Sequence, residues 1–210
     1  MNFYIITLFP EAFDSIFASS ILKRAQETKK ITIKFINPRN FARNKYKTVD
    51  DKPYGGGAGM VMKVDTILDA LESISPKPHT ILLSAGGKRY NQKMALKLSK
   101  KKGLAIICGH YEGTDARVEK YVNETVSIGD YVLTGGEIPA AVVVDSVVRL
   151  IPGVINKASL ETESFSKEGF IEYPQYTRPE DFRGQKVPKI LLSGNHKGIE
   201  NWRQKHSKKS

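Results

Sequence analysis

Apolar positions along the chain switch repeatedly between short continuous runs and helical spacing. FYIITLF (3–9) is rich in aromatic and β-branched residues, which predicts a buried strand. PEAFDSIFASSILKRAQ (10–26) repeats apolar residues at helical spacing behind a proline suited to a helix start. ITIKFI (31–36) predicts a second strand, VDTILDALESI (64–74) an amphipathic helix, and HTILLS (79–84) a strand. A basic helix (92–102), the buried strand LAIICG (104–109) and the strand segment TVSIGDYV (125–132) follow. From Pro139 to Leu150 the pattern AAVVVDSVVRL suits a largely buried helix. Strands alternating with helices predict an α/β domain with a mostly parallel sheet. It closes near Gly153, and the polar, weakly periodic NKASLETESFSKEGF (156–170) reads as a linker. Residues 171–210 hold aromatics, prolines and one clear helical run, SGNHKGIENWRQKH, which predicts a small basic second domain.

Composition narrows the class. A chain of 210 residues with 40% hydrophobic and 26% charged residues is an ordinary globular protein. No run of about 18 apolar residues is present, so no transmembrane helix and no membrane contact are expected. MNFYIITLFPEAF lacks a basic n-region and reads as a first strand rather than a signal peptide. The single cysteine, Cys108, excludes an intrachain disulfide framework, fits a reducing cytoplasm and reads as a small core residue. The net charge of +11 points to a polyanionic partner, with nucleic acid leading. Charge is unevenly placed: Lys23–Lys52 holds ten Lys or Arg against three acids, and Lys88–Lys102 seven against none. The plainer alternative is that these residues solubilise helix faces.

Motifs decide between chemistries. GGGAG (55–59) is followed by Met60 and Val61, not by the Lys-Ser or Lys-Thr pair that a phosphate loop needs. The first strand runs into FPEAF, so a dinucleotide-binding turn fails as well. Glycine-bearing turns do fall at the ends of successive strands: LLSAGG (82–87), ICGHYEG (107–113) and SIGDYVLTGGE (127–137). In a parallel sheet these ends converge on one crevice and would form a slot for an adenine and ribose. Each turn alone is equally a tight strand–helix closure. His79, His110, His196 and His206 show no metal-ligand spacing, and no Ser or Cys has an evident base. Around the crevice remain Glu112, Asp130, Glu137, Asp145 and Arg149. An arginine in an apolar helix is costly unless it meets an anion or snorkels out at the helix end.

The stretches YGGGAGMVM, ICGHYEGTDARV, SIGDYVLTGGEIPA, VVRLIPGVI and YPQYTRPEDFRGQKVPKILLSGNHKGIENWR together resemble bacterial tRNA (guanine-N1)-methyltransferases, the TrmD family. The resemblance runs from Phe3 to about Arg203. It implies a SPOUT-type α/β fold whose parallel sheet ends in a deep trefoil knot, an exception to the rule against knotted chains. It also implies domains at 1–157 (knotted, cofactor-binding) and 173–210 (small, helical, basic, tRNA-binding), joined by a linker at 158–172. A cytoplasmic homodimer is implied, with the active site at the subunit interface, S-adenosylmethionine as methyl donor, and the guanosine at tRNA position 37 as target. Whether a divalent ion such as Mg2+ assists is not legible in the sequence.

Carried over by position, the cofactor pocket takes Leu82, Leu83 and Ser84; then Gly109, Tyr111 and Glu112; then Ile128, Gly129, Tyr131, Leu133, Gly135 and Gly136. Their glycines are read as the floor of the slot, bringing backbone close to adenine. Arg149 matches the family's catalytic arginine, Glu163 the position of its general base, and Glu112 joins them as a catalytic candidate. Asp130 and Glu137 are read as capping or bonding neighbouring turns. The chain departs from the family in three places. Glu163 precedes Ser164 and Phe165 where aspartate is usual, with Glu161 as the fallback base. Ala85 and Gly86 replace a commoner Pro-Gln pair, and the C-terminus is short, so a looser pocket and a weaker grip on tRNA are expected. Rival readings are a knotted methyltransferase acting at another RNA position or a ribose hydroxyl, a non-catalytic RNA-binding module, and a nucleotide hydrolase.

Overall fold

In strand β1 (Asn2–Ile6), Phe3 and Ile5 turn to one face, Tyr4 and Ile6 to the other, and all are buried. A strand buried on both sides belongs inside a sheet covered by helices on each face. The computed structural model describes residues 1–209 and falls into two compact units, Met1–Ile155 and Asn156–Ser210.

The first unit is built on β1, β2 (Thr32–Ile36), β3 (His79–Arg89), β4 (Gly103–Cys108) and β5 (Glu124–Ser127). Their order is β2-β1-β4-β3-β5, with every pairing parallel. One face packs Phe3, Ile5, Ile81, Leu104 and Ile106 against helices α1 (Ser20–Glu27), α3 (Gln92–Ser99) and α4 (Glu137–Val148). The other packs Tyr4, Ile6, Leu82 and Ile107 against Ile67, Ala70 and Leu71 of α2 (Val64–Glu72). Each fully buried Val, Leu, Ile or Phe contributes about 1.5–3 kcal/mol, so the two layers are the main source of stability. Cys108 is a core residue of the first layer.

Several elements depart from the sequence pattern. The helix expected over 10–26 is broken into a 3-10 turn (Pro10–Phe13), a single α-turn (Asp14–Phe17) and α1. The break lies where Ser19 Oγ donates to Ile16 O at 3.0 Å and Ser20 takes a φ of 48°. Serine competes for backbone partners in this way and interrupts helices. The strand expected to end at Ser84 continues to Arg89 past an irregularity, with both Leu83 and Lys88 in register with Val126. A Cβ on Gly87 would lie 2.5 Å from Val126 N, so the intervening residues bulge out and glycine returns the chain to the sheet. The last strand is shorter than its apolar run, ending at Ser127. Helix α4 begins at Glu137, two residues before Pro139, which its first turn accommodates because that proline needs no N–H partner there.

In the second unit the polar stretch contains a short helix, α5 (Lys157–Glu161), with Asn156 Oδ1 accepting from Ala158 N at 3.0 Å. Helices α6 (Lys189–Leu192) and α7 (His196–His206) follow, with antiparallel pairs Phe170–Ile171 with Lys208–Lys209 and Asp181–Phe182 with Gln185–Lys186. Trp202 organises this unit: His206 stacks on it at 4.1 Å, and Tyr173 and Tyr176 present edges at 6.4 and 6.2 Å.

Candidate cofactor-binding site

Two turns leave β4 and β5 at their C-terminal ends, on either side of the bulge in β3, and are fastened to one another by backbone. After β4, Gly113 N donates to His110 O at 3.0 Å, and Tyr111 takes a φ of 60°. The segment following the glycine cluster staples this turn: Glu112 N donates to Met60 O at 3.0 Å, and Met62 N to Gly113 O at 2.9 Å. After β5, Ser127 Oγ donates to Gly129 O at 3.0 Å, turning the chain away from the sheet. That loop returns to the end of β4, where Gly136 N donates to Gly109 O at 2.8 Å. A Cβ on Gly136 would lie 2.6 Å from Cys108 Cα and 2.9 Å from Gly109 N. Gly136 therefore has a packing role besides lining the cavity, because backbone meets backbone there.

The turns wall a cavity of about 320 Å³. Every residue expected to hold a cofactor lines it: Leu82, Leu83 and Ser84 from β3, Gly109, Tyr111 and Glu112 after β4, and Ile128, Gly129, Tyr131, Leu133, Gly135 and Gly136 after β5. The sequence reading missed His110, Glu119 and Pro139 among the lining. His110 stands inside a motif that marks the turn, but residue spacing tests a histidine only as a metal ligand. Glu119 enters on the 3-10 segment Ala116–Tyr121, which carries no glycine to mark it.

The carboxylates separate by environment. Glu137 accepts from Thr7 Oγ1 at 2.8 Å and its other oxygen lies 4.0 Å from His110 Nδ1, so it ties the head of α4 to the end of β1. Asp130 is an exposed partner of Arg89 at 3.1 Å. Burial pushes the Cys108 thiol well above its usual range, and the nearby Glu137 charge adds to this, so the sulfur stays protonated. Asp115, beneath the turn, is held below the usual carboxylate range by hydrogen bonds from Arg117 at 2.6 and 2.9 Å, which outweigh the effect of burial.

The cavity is lined by residues of the first unit. Arg149 is half-buried at the C-cap of α4, outside that lining, its N–H donating to Asp145 O at 3.2 Å. Glu163 belongs to the second unit, half-buried, with its carbonyl accepting from Ser166 N at 3.1 Å. Glu161 is exposed and pairs with Lys157 at 3.8 Å. Among the described residues, no group of three or more His, Cys, Asp or Glu is placed to hold a metal ion. No helix among them is long and apolar enough to cross a membrane.

A parallel sheet with glycine-bearing turns around a cavity at its C-terminal edge defines a ligand-binding α/β protein. The chain belongs to the tRNA (Guanine-1)-methyltransferase TrmD family, whose model matches residues 1–210. It is 57% identical to a tRNA (guanine-N(1)-)-methyltransferase of Geobacillus kaustophilus over 212 residues, covering 99% of this chain and 86% of that protein. It is 56% identical to the protein of the same name from Carboxydothermus hydrogenoformans, covering 99% and 83%. The crystal structure of tRNA (m1G37) methyltransferase from Aquifex aeolicus superposes with a TM-score of 0.83 at 40% identity, covering 98% of this chain and 88% of that one.

Proposed function

We propose that this protein transfers the methyl group of S-adenosylmethionine to N1 of the guanosine at position 37 of tRNA, acting in the cytoplasm as a homodimer. The observation that carries this reading is the convergence of all the expected pocket residues on one cavity. The names of its relatives supply the reaction and the tRNA substrate; the name of its structural neighbour supplies the position.

The residues present fit the donor. Ile128 and Leu133 offer apolar faces to a purine, and the carboxylates Glu112 and Glu119 line the same cavity. A volume of about 320 Å³ lies within the range of small-molecule sites. Carboxylates there favour a cationic ligand, and S-adenosylmethionine carries a sulfonium. Once bound, it supplies an electrophilic methyl group. Guanine N1 holds a proton at neutral pH, so that proton must leave as the methyl arrives. Glu163 accepts it as general base. Arg149 donates to guanine O6, where negative charge grows at the same moment. Glutamate is one methylene longer than the aspartate usual in the family, so the Glu163 backbone stands slightly further from the base.

The proposed architecture is a knotted cofactor-binding domain over 1–157, a linker over 158–172 and a tRNA-binding domain over 173–210. Dimerisation is supported by exposed apolar side chains: Tyr131 (55%), Val132 (88%) and Leu133 (38%) on the loop that walls the cavity, then Ile138 (59%) and Val142 (42%) on α4. Such a run on one loop and the helix it feeds suits burial against a second protomer. Arg149 of one protomer and Glu163 of the partner subunit would then complete each site.

The test incubates the protein with unmodified tRNA transcripts and labelled S-adenosylmethionine and maps the methylated atom. N1 of guanosine 37 is expected; a ribose oxygen or another nucleotide would replace this reading with that of a related RNA methyltransferase. Adding EDTA to the same assay reads whether magnesium assists. Glu163→Ala and Arg149→Ala are each expected to collapse methyl transfer, by about 100-fold or more, while cofactor affinity stays near normal. Full turnover by Glu163→Ala would remove it from the role of base.

A further inference from the structure

The two ends of the parallel sheet differ in chemistry. Its C-terminal end walls the cavity, whereas its N-terminal end carries cations. Lys29 and Lys30 precede β2, Lys77 precedes β3, Lys100, Lys101 and Lys102 precede β4, and the N-terminal ammonium precedes β1. Backbone hydrogen bonds draw these segments together. The Met1 ammonium donates to Lys30 O at 2.8 Å, Thr32 N to Met1 O at 3.0 Å, and Asn2 N to Lys102 O at 3.0 Å. A Cβ on Gly103 would meet Pro78 Cβ at 3.4 Å, which brings the Lys77 segment to the same edge.

These lysines are exposed, apart from the half-buried Lys101. Their flanks are neutralised: Lys23 pairs with Glu27 at 3.8 Å and Lys97 with Glu124 at 2.8 Å. Among the described residues no carboxylate forms an ion pair with Lys29, Lys30, Lys77, Lys100, Lys101 or Lys102. Glu72 shares the lining of a small cavity with Lys77 without pairing to it. Uncompensated like charges at one edge repel and weaken the fold, and an extended polyanion relieves that repulsion. Apart from Tyr121, which shares the small cavity with Lys77, the large exposed apolar side chains lie elsewhere, and a single aromatic is no surface for insertion into a bilayer. Strands of this length place the edge about 17–20 Å from the cavity, at the opposite end of the sheet, so the nucleotide seated in the cavity does not reach it.

We infer that the N-terminal edge of the sheet is a second RNA-docking surface, which holds the phosphate backbone of the bound tRNA outside its anticodon stem-loop. The inference rests on tRNA being the substrate. Its lysines meet phosphates, so it adds affinity and salt dependence without reading sequence.

The test combines Lys29→Gln, Lys30→Gln, Lys100→Gln, Lys101→Gln and Lys102→Gln in one variant. Methylation is compared on a full-length tRNA transcript and on an anticodon stem-loop hairpin. The KM for the full-length transcript is expected to rise about tenfold or more, and its dependence on log salt to flatten by about 0.9 for each phosphate that the variant no longer neutralises. Both kcat values and the hairpin KM stay unchanged, which also shows that the variant folds. An unchanged KM for the transcript, or an equal rise for both RNAs, overturns the inference. So does loss of wild-type binding to phosphatidylglycerol vesicles in the variant while tRNA affinity holds, which would make the edge a membrane-binding surface. Acetylation footprinting of the unaltered protein gives an independent reading. These lysines should be shielded by the transcript and not by the hairpin, and equal labelling in both overturns the inference. If the wild type methylates neither RNA at guanine N1, the proposed function fails, whereas the footprint still decides the docking surface.

Discussion

Gly136 has no room for a side chain, and that single fact couples the fold to the site. A Cβ there would sit 2.6 Å from Cys108 Cα, so Gly136→Ala must lift the loop off the end of β4. A loss of about 1–3 kcal/mol is expected from such crowding, with a fall in S-adenosylmethionine affinity of about tenfold or more. Calorimetry and thermal melting read both, and unchanged cofactor affinity would sink the link. Gly86 is the control: nothing lies within 4 Å of a Cβ built there. Gly86→Ala should therefore leave stability within about 0.5 kcal/mol of wild type. The sequence marked both glycines as turn residues. Which of them is indispensable depends on what the opposite chain segment does, and a linear pattern carries no record of that.

Helices and strands are tied together outside the core by a few polar contacts, of which Glu124 makes the most consequential. Its carboxylate, at the start of β5, accepts from Lys97 Nζ of α3 at 2.8 Å and contacts His79 Nε2 of β3 at 2.9 Å. Burial acts to raise its pKa, but the hydrogen bonds and charges of Lys97 and His79 outweigh that and hold it below the usual carboxylate range. A depressed carboxylate stabilises the fold above its unfolded pKa of about 4.3, and the contribution is lost as pH falls through the lower folded value. Glu124→Gln should therefore cost about 1–2 kcal/mol at pH 7. In urea melts across pH, the gap between wild type and variant should persist above about pH 4.3 and close at lower pH; a gap that widens on acidification would contradict this. At this scale the sequence was legible where periodicity was long, as for α2, α3 and α4. It misled where a local bond intervened, at Ser19 and Ser20, and where a bulge let β3 run on past Gly87.

The whole molecule presents a cofactor-sized cavity together with an arginine and a glutamate that lie outside its lining. The proposed dimer makes a quantitative prediction. Arg149→Ala and Glu163→Ala variants are each expected to be inactive alone. Mixed and allowed to exchange subunits, half the dimers are mixed, and in each one site of two keeps both groups if they come from different chains. About one quarter of wild-type activity should return, as two-fold symmetry requires. No recovery despite subunit exchange, checked by sedimentation and tagged-subunit capture, would mean that each chain completes its own site.

Read alone, the sequence determined the α/β class, the segments that line the pocket and the basic character of the protein. These are local properties: periodicity, residue type and motif order survive in one dimension. Only the tertiary structure decided that two turns and the bulged β3 close one cavity and that Gly136 serves backbone packing. Only it showed that His110, Glu119 and Pro139 join the wall, and that lysines from separate segments gather at the sheet's far edge. Those facts depend on which strands lie side by side, and adjacency is set by packing across the whole sheet rather than by any stretch of neighbouring residues.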